Sequence, residues 1–293
     1  MTQGLISRLT AGDVLVSDGA TGSNLQAMGL PMGKAGEVWV LENPGAVKNL
    51  AQAFFDAGAD ILLTCTFGGT RIRLKDSKLE DEFFTVNQKA IEITKTVVRG
   101  SDVLVGGSIG PIGQMLAPFG TLTAQEAQAE FADQARLLCE GGVDLVVIET
   151  QFDLNEAEAA VQGVRSVNQD IPLVCSFSFD RGTRTMMGVS PEDFAQKLAV
   201  LDVDLLGINC GRSLVENVEA LKQLRQVTDK PIWFKPNAGL PEVDDEGRTC
   251  YAISPQEMGD WVPQWIQAGA QIVGGCCGTS PEHLAEIAKA AHA

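Results

Sequence analysis

The chain has 293 residues, of which 45% are hydrophobic and 20% charged, and it contains no uninterrupted apolar run long enough to cross a bilayer. Its 22 basic and 38 acidic residues give a formal net charge of −16, which repels phosphate backbones and anionic membrane surfaces. Neither a nucleic acid nor a membrane is therefore an expected partner.

The first residues carry no export signal. The stretch "MTQGLISRLTAGDVLVSDG" lacks a basic region followed by an apolar run and a small-residue cleavage site. We therefore expect a cytoplasmic protein, in which the seven cysteines do not form a disulfide framework. Buried thiols, a reactive thiol or metal ligands remain as their roles.

Short runs rich in Val, Ile and Leu recur along the chain, with helical stretches between them. Eight such runs are predicted as strands: 14–17, 61–66, 103–107, 145–149, 172–178, 205–209, 231–234 and 271–274. Apolar runs without alternation suit strands buried on both faces, and their alternation with helices predicts parallel βαβ units. Eight units predict an α/β fold, a single-domain (β/α)8 TIM barrel over residues 1–293.

Two further patterns support the barrel. The stretches "AGADILLTCT", "GGVDLVVIET", "LDVDLLGINC" and "AGAQIVGGCC" form a weak repeat at every second strand. Ser190, Ser254 and Ser280 each precede a proline and are predicted helix N-caps. The alternative, an open doubly wound sheet, would favour a glycine-rich fingerprint after the first strand, which "DGATGS" at 18–23 does not match.

Polar and sulfur-containing residues collect where the predicted strands end, which is where such a barrel carries its chemistry. They are Asp18, 64–66, Ser108, Glu149, 176–178, Asn209, Cys210, Lys235, Asn237, Cys276 and Cys277. Cys139, Cys175 and Cys250 have no partner in this set and are interpreted as packing residues.

Three of these cysteines predict a metal site. Cys210 ends the sixth strand and Cys276 the eighth, and alternate strands point side chains into the same layer of the barrel. Cys276 and Cys277 can face one metal only if the strand has ended, which the glycines of "VGGCCG" allow. A disulfide between these neighbours is disfavoured, since consecutive α-carbons are about 3.8 Å apart.

Thiolates would supply the ligands, because the only two histidines, His283 and His292, fall in the predicted closing helix. Three thiolates select zinc, or alternatively copper(I) or an iron–sulfur centre, and leave one position for a substrate. Such a zinc centre is a poor activator of water but holds a further thiolate well, so a thiol is the expected substrate. Small buried residues in a glycine-rich turn are the alternative interpretation.

Two carboxylates and a loop suggest an amino-acid substrate. Asp18 and Glu149 could accept hydrogen bonds from an ammonium group, and the amides of "GATG" after Asp18 could hold a carboxylate. Taken alone, either carboxylate could equally be a helix cap or part of a salt bridge. Lys235, which ends the seventh strand, suggests a Schiff-base lyase as a competing function.

Five stretches resemble the homocysteine S-methyltransferase family, and within it the homocysteine-binding barrel of cobalamin-dependent methionine synthase. They span nearly the whole chain: "SDGATGSNLQ" (17–26), "IETQFDLNEA" (148–157), "GINC" (207–210), "PNAGLP" (236–241) and "VGGCCGTSPEH" (273–283). The combination of "NC" with a distant "GGCCG" is specific.

The resemblance implies a role for each matching residue. It implies that Cys210, Cys276 and Cys277 bind zinc, with Asn237 in the fourth position until the substrate thiolate displaces it. It further implies that the homocysteine amine lies against Asp18 and Glu149 and its carboxylate against the Gly19 and Ala20 amides. The implied reaction is attack of the thiolate on an activated methyl group to give methionine.

Departures from the family pattern bear on the donor and the pocket. The chain has no folate, cobalamin or reactivation module, so a separate corrinoid protein carrying methylcobalamin would have to deliver the methyl group. Betaine-using and S-methylmethionine-using relatives usually begin with "DGG" rather than "DGATG", which favours the methylcorrinoid; these small donors remain alternatives. "TCTF" replaces the usual "TNTF", so Cys65 stands where an asparagine shapes the pocket and the acceptor could be another thiol. A non-catalytic zinc-binding subunit is a further alternative.

Overall fold

The structure is a computed structural model that describes residues 4–243 and 249–293. Its strands, in chain order, are β1 (Leu15–Val16), β2 (Ile61–Leu63), β3 (Leu104–Ile109), β4 (Leu145–Gln151), β5 (Leu173–Phe177), β6 (Leu205–Cys210), β7 (Ile232–Pro236), β8 (Pro241–Val243), β9 (Thr249–Tyr251) and β10 (Ala270–Val273). β8 and β9 pair antiparallel with each other, and the other eight strands form one sheet.

The eight-stranded sheet is a barrel, as the sequence predicts. Its strands are all parallel and follow the order β1-β10-β7-β6-β5-β4-β3-β2. The two edge strands meet through a parallel bridge between Ser17 and Ile61, where the Asp18 amide donates to the Ile61 carbonyl at 3.0 Å. The carboxyl ends of all eight strands therefore surround one mouth.

Helices connect the strands and cover the barrel. They are α1 (Leu5–Ala11), α2 (Gly22–Ala27), α3 (Gly36–Glu42), α4 (Pro44–Asp56), α5 (Arg71–Leu74), α6 (Phe83–Val98), α7 (Ala124–Glu140), α8 (Leu154–Val167), α9 (Pro191–Ala199), α10 (Leu214–Val227), α11 (Pro255–Gln267) and α12 (Pro281–Ala291). The predicted caps at Ser190 and Ser254 are confirmed, each as a capping box with the third helical residue. Within 4–243 and 249–293, no helix combines the length and hydropathy that a bilayer span needs.

The apolar core has two layers. The inner layer fills the barrel with large strand residues such as Ile61, Val147 and Trp233, and Leu5 and Leu9 of α1 complete it. The outer layer lies between the strands and the surrounding helices. Because α1 precedes β1, it lies at the amino ends of the strands and leaves the opposite mouth to the functional residues.

All eight strands end one to three residues from their predicted ends, and the differences at β2 and β4 bear on the site. The second strand is predicted over 61–66, but β2 ends at Leu63, and the Thr66 amide then donates to the Thr64 carbonyl in a turn. The fourth strand extends past its predicted end to Gln151, with a register shift after Ile148. Both changes lie at the mouth, where side-chain contacts replace the regular ladder.

Candidate metal and substrate site

The three predicted cysteines meet at the barrel mouth. The sulfur atoms of Cys210, Cys276 and Cys277 all lie within 4.8 Å of one another, and the Cys210 and Cys276 sulfurs are 3.0 Å apart. Thiolates that share one zinc ion at bond lengths of about 2.3 Å stand roughly 4 Å apart. The cluster is therefore compact enough for a single metal ion, which would hold the Cys210 and Cys276 sulfurs somewhat further apart.

Cys210 is aimed into the mouth by an unusual backbone conformation. Its φ is +62°, which side-chain-bearing residues rarely adopt. Its carbonyl accepts hydrogen bonds from the Asn217 side chain at 2.7 Å and from the Asn237 amide at 3.2 Å. These two bonds hold the chain in the turn that ends β6.

The second pair of sulfurs converges because β10 ends before them, as predicted. β10 ends at Val273, and the Cys276 amide then donates to the Pro236 carbonyl at 2.9 Å. The Cys276 carbonyl accepts from the Thr279 hydroxyl at 2.6 Å. At Gly274 an added Cβ would lie 2.6 Å from the Ser17 carbonyl oxygen, so a glycine is required where this turn passes β1.

The cluster is arranged for ionisation at one sulfur first. Hydrogen bonds from Cys210 and Cys276 lower the pKa of the Cys277 thiol to about 3. The pKa of the Cys210 thiol rises well above its ordinary value, mainly through its hydrogen bonds with Cys276 and then Cys277. Three thiols this close share protons, and a divalent cation would replace those protons in holding the sulfurs together.

Asn237 carries an orphaned acceptor beside the cluster. Its Nδ2 donates to the Gly211 carbonyl at 2.8 Å, whereas its Oδ1 is buried and has no hydrogen-bond partner within the described part of the chain. A buried amide oxygen without a partner is costly, and a bound cation would satisfy it. Three thiols and an amide oxygen are a donor set that suits a four-coordinate zinc ion.

Asn209 is part of the site, although the sequence assigns it no role beyond its place at a strand end. Its Nδ2 lies 3.6 Å from the Cys210 sulfur and 3.8 Å from the Cys276 sulfur. Its Oδ1 accepts from the Thr150 amide at 2.8 Å and from the Ser176 hydroxyl at 2.7 Å. Its position directly before Cys210 is the only sequence signal for this contact.

A buried polar chain runs from β1 to β4 next to the sulfurs. Lys235 donates to Asp18 at 2.6 Å, and Asp18 also accepts from the Leu63 amide at 2.8 Å. Glu149 accepts from the Ser108 hydroxyl at 2.5 Å. Burial raises the pKa of Glu149 to about 7, although the nearby Lys235 ammonium lowers it.

Lys235 is held as a cation. It is only 2% exposed, and burial lowers its pKa, but the charges of Asp18 and Glu149 outweigh burial and leave that pKa above its ordinary value. A protonated lysine is not a nucleophile, so this environment disfavours the Schiff-base function.

The two amides expected at a substrate carboxylate differ in their surroundings. The Ala20 amide already donates to the Thr279 carbonyl at 3.1 Å. The Gly19 amide makes no hydrogen bond to any described residue. Of these two amides, only the Gly19 N–H is therefore free to donate a hydrogen bond to a substrate carboxylate.

The remaining cysteines lie outside the cluster. Cys65 is buried under α2 and α3, near Leu25 and 3.1 Å from an ideal Cβ on Gly36. Cys175 is buried and Cys139 is half-buried, as expected of packing residues, but Cys250 is exposed on β9, and the prediction that it packs is wrong. Burial raises the pKa of the Cys65 thiol, which keeps it protonated.

A cavity of about 340 Å³ opens on the β2–β4 side of the mouth, across the barrel from β7. It is lined by Phe67, Arg73, Pro111, Gly113, Gln114, Met115, Phe152 and Glu156. Glu156 is 3% exposed, one of its oxygens accepts from the Ile112 amide at 2.7 Å, and burial raises its pKa to about 7.

Comparisons with known proteins show which family the chain is similar to. The family model described as homocysteine S-methyltransferase matches residues 15–291. The methionine synthases of Mycobacterium leprae and Mycobacterium tuberculosis are 30% and 31% identical over 94% of this chain, which spans only 24% of their length. The metallated form of the Escherichia coli homocysteine methyltransferase MmuM is 26% identical and matches with a TM-score of 0.82, covering 97% of this chain and 99% of that one.

Proposed function

The chain belongs to the homocysteine S-methyltransferase family, and on that basis we propose that it methylates the thiolate of homocysteine to give methionine at a zinc site. The observation that carries the proposal is the convergence of the Cys210, Cys276 and Cys277 sulfurs at the barrel mouth. The buried, unpartnered Oδ1 of Asn237 supports a fourth ligand position that a substrate sulfur can take over. The cytoplasm, where thiols stay reduced, is the proposed location.

Zinc, when bound, would keep the substrate sulfur ionised near neutral pH and hold it in place. The sulfur would form a bond to the methyl carbon while the bond between that carbon and the donor breaks, and the donor would leave with the electron pair. Water is a poor competitor, because a centre with three thiolates activates it weakly.

The amino-acid end of the substrate is proposed to lie against the buried polar chain. Glu149 would accept a hydrogen bond from the ammonium group, and Asp18 would add its charge while it keeps its bond to Lys235. The Gly19 amide would donate to the carboxylate, and the Ala20 amide would join only by exchanging its bond with Thr279. An ionised Glu149 carboxylate binds a positively charged ammonium group far better than it binds an uncharged group. This preference favours an amino acid as the acceptor.

The proposed donor is a methylcorrinoid carried by a separate protein. The "DGATG" turn favours it, and so does the rim of the mouth. Five exposed methionines lie in the segments between β1, β3 or β5 and the next strand: Met28, Met32, Met115, Met186 and Met187. Flexible, polarisable methionines suit a surface that a partner covers transiently.

A small cationic donor is the second candidate, and the cavity beside the mouth favours it. Phe67, Phe152 and the Glu156 carboxylate could surround a sulfonium or quaternary ammonium group, while Arg73 could pair with a carboxylate. S-methylmethionine and betaine both have these two groups.

A donor screen tests the proposal. Zinc-loaded protein and homocysteine are incubated with methylcobalamin, betaine, S-methylmethionine or methyltetrahydrofolate, and methionine is measured. The proposal predicts methionine from methylcobalamin. Turnover with S-methylmethionine or betaine but not with methylcobalamin would overturn the proposal of a methylcorrinoid donor and establish the small cationic donor. Glu156→Gln should then lower kcat/KM for that donor.

The same screen, together with a trapping experiment, separates the remaining alternatives. A protein that binds zinc tightly but forms no methionine with any donor would be a non-catalytic zinc-binding subunit. Turnover of another thiol in preference to homocysteine would change the acceptor but not the chemistry. Borohydride trapping of a keto substrate on Lys235 would favour the lyase.

A further inference from the structure

The orientation of the Asn209 side chain is fixed by its partners. A backbone N–H can only donate, so the atom that faces the Thr150 amide at 2.8 Å must be the amide oxygen, which also accepts from Ser176 at 2.7 Å. The amino group must then face the opposite way. There it meets the Thr150 hydroxyl at 2.7 Å and the sulfurs of Cys210 and Cys276.

Asn209 also links two distorted strand ends. Thr150 and Cys210 both have a φ of +62°, and such a φ is unusual for any residue and strained for a β-branched one. Asn209 bonds to Thr150 through both its oxygen and its nitrogen, and it is the neighbour of Cys210 in the chain. The distortion at Thr150 falls in the register shift of β4 that follows Ile148 and directly follows Glu149.

We propose that Asn209 is a positioning residue that donates one N–H to the Thr150 hydroxyl and shares its other N–H between the Cys210 and Cys276 thiolates, which ties both sulfurs to the β4 segment that presents Glu149. The inference rests on the proposed metal site, because the sulfurs must be thiolates to accept such bonds well. Its contact distances of 3.6 and 3.8 Å are those of N–H···S hydrogen bonds.

Two physical consequences follow for the metal. Hydrogen bonds withdraw electron density from the thiolates, so each sulfur donates less charge to the ion and the centre is less electron-rich. The shared asparagine also fixes the separation of two ligands on different strands. Loss of such a partner typically weakens metal binding about 10–100-fold.

The chain offers a matched control for this residue. Asn217 is also buried and also contacts Cys210, but its Nδ2 donates to the Cys210 carbonyl at 2.7 Å rather than to the sulfur. Asn217→Ala therefore removes an asparagine from the same turn without removing an N–H···S bond. A purely structural effect on the turn would appear in both variants.

The test uses Co²⁺ as a spectroscopic substitute for zinc in the full chain. The wild type should show the sulfur-to-cobalt charge-transfer band of a thiolate site; its absence would overturn the metal site itself. Asn209→Ala should move this band to lower energy, because sulfur lone pairs without hydrogen bonds are easier to ionise, and should weaken Zn²⁺ binding about 10–100-fold against a chelator. Asn217→Ala should leave the band in place.

A second variant guards against misfolding of the first. Asn209→Asp keeps oxygens that accept from Thr150 and Ser176 but removes the N–H donors and adds negative charge near the sulfurs. It should stay folded by circular dichroism and lose more metal affinity than Asn209→Ala. An unshifted band with metal affinity within twofold of wild type in both Asn209 variants, or an equal band shift in Asn217→Ala, would overturn the inference.

Discussion

The charge of Glu149 depends on its place in the mouth. Burial raises its pKa to about 7, while the Lys235 ammonium and the Ser108 hydroxyl act in the opposite direction. Below that pH the carboxyl is neutral in the free protein, and above it the carboxylate can attract an ammonium group. Substrate binding should therefore strengthen as the pH rises through neutrality.

Methionine is a suitable probe of this effect, because its sulfur does not titrate. On the zinc-loaded protein we expect its Kd to fall by up to about tenfold between pH 6 and pH 8, as Glu149 ionises. Glu149→Gln should weaken binding at pH 8 and flatten the profile. Calorimetry at each pH measures both effects.

Glu156 provides the control for that profile, because burial raises its pKa to about 7 as well, yet it lies in the side cavity. Glu156→Gln should keep the wild-type slope. If the slope persists in Glu149→Gln and disappears in Glu156→Gln, the ammonium site has been assigned to the wrong carboxylate.

Among single residues, the sequence predicts which side chains gather at the mouth better than it predicts their individual contacts. Cys210, Cys276 and Cys277 could be predicted because cysteine has few roles in a reduced protein and glycines mark the turn. Asn209 could not, because nothing in the order of residues shows that its amide turns back toward its neighbour's sulfur. The ion pair of Asp18 with Lys235 joins residues that lie 217 positions apart, so it requires the closed barrel.

At the scale of the element, the turn after β10 is the segment on which the sulfur geometry depends. Gly278 has a φ of +82°, and an ideal Cβ there would overlap the ring of Tyr251 on β9. Tyr251 is the only tyrosine of the chain, and burial followed by the charge of Cys277 raises its pKa to about 12. The turn and the β8–β9 ladder are therefore packed together beside the sulfurs.

Gly278→Ala should destabilise the protein by more than its backbone conformation alone requires. The positive φ should cost about 1–2 kcal/mol, and the collision with Tyr251 about 1–3 kcal/mol more, as for other overpacked sites. Zn²⁺ affinity should fall as well, because Cys277 is the preceding residue. Urea denaturation and chelator competition measure the two effects.

Gly33→Ala is the matched control, since Gly33 has a φ of +80° and nothing lies within 4 Å of its ideal Cβ. It should show the backbone cost without the steric cost, and zinc binding should not change. Equal destabilisation in the two variants would mean that Tyr251 simply moves aside.

The sequence predicts which strands form and in what order they follow, but it does not predict where some of them end. Buried runs of Val, Ile and Leu are a strong signal, and all eight predicted strands are present. At the early end of β2, the Leu63 amide donates to the carboxylate of Asp18, which follows β1, and no local pattern records this contact.

In the molecule as a whole, one end of the barrel contributes to stability and the other carries the candidate site. Leu5 and Leu9 of α1 close the inner core at the amino ends of the strands, whereas the polar and sulfur-containing residues lie at the carboxyl ends. The residues that stabilise the barrel are thus largely different from the residues that form the site.

Leu9→Ala should test that separation. Leu9 is 4% exposed, so its truncation should lower the free energy of unfolding by about 2–5 kcal/mol. Zn²⁺ affinity should stay within about twofold, since distant sites act additively. Parallel loss of stability and metal affinity, measured by urea denaturation and chelator competition, would show that the two ends are coupled.

The most direct test of the account is the zinc content of Cys276→Ser beside that of Cys250→Ser, each measured after reconstitution and dialysis. Cys250 is an exposed cysteine outside the cluster and controls for the loss of a thiol. We expect one zinc per chain in the wild type and in Cys250→Ser, and loss of both zinc and methionine formation in Cys276→Ser. Full zinc stoichiometry in Cys276→Ser would contradict the account.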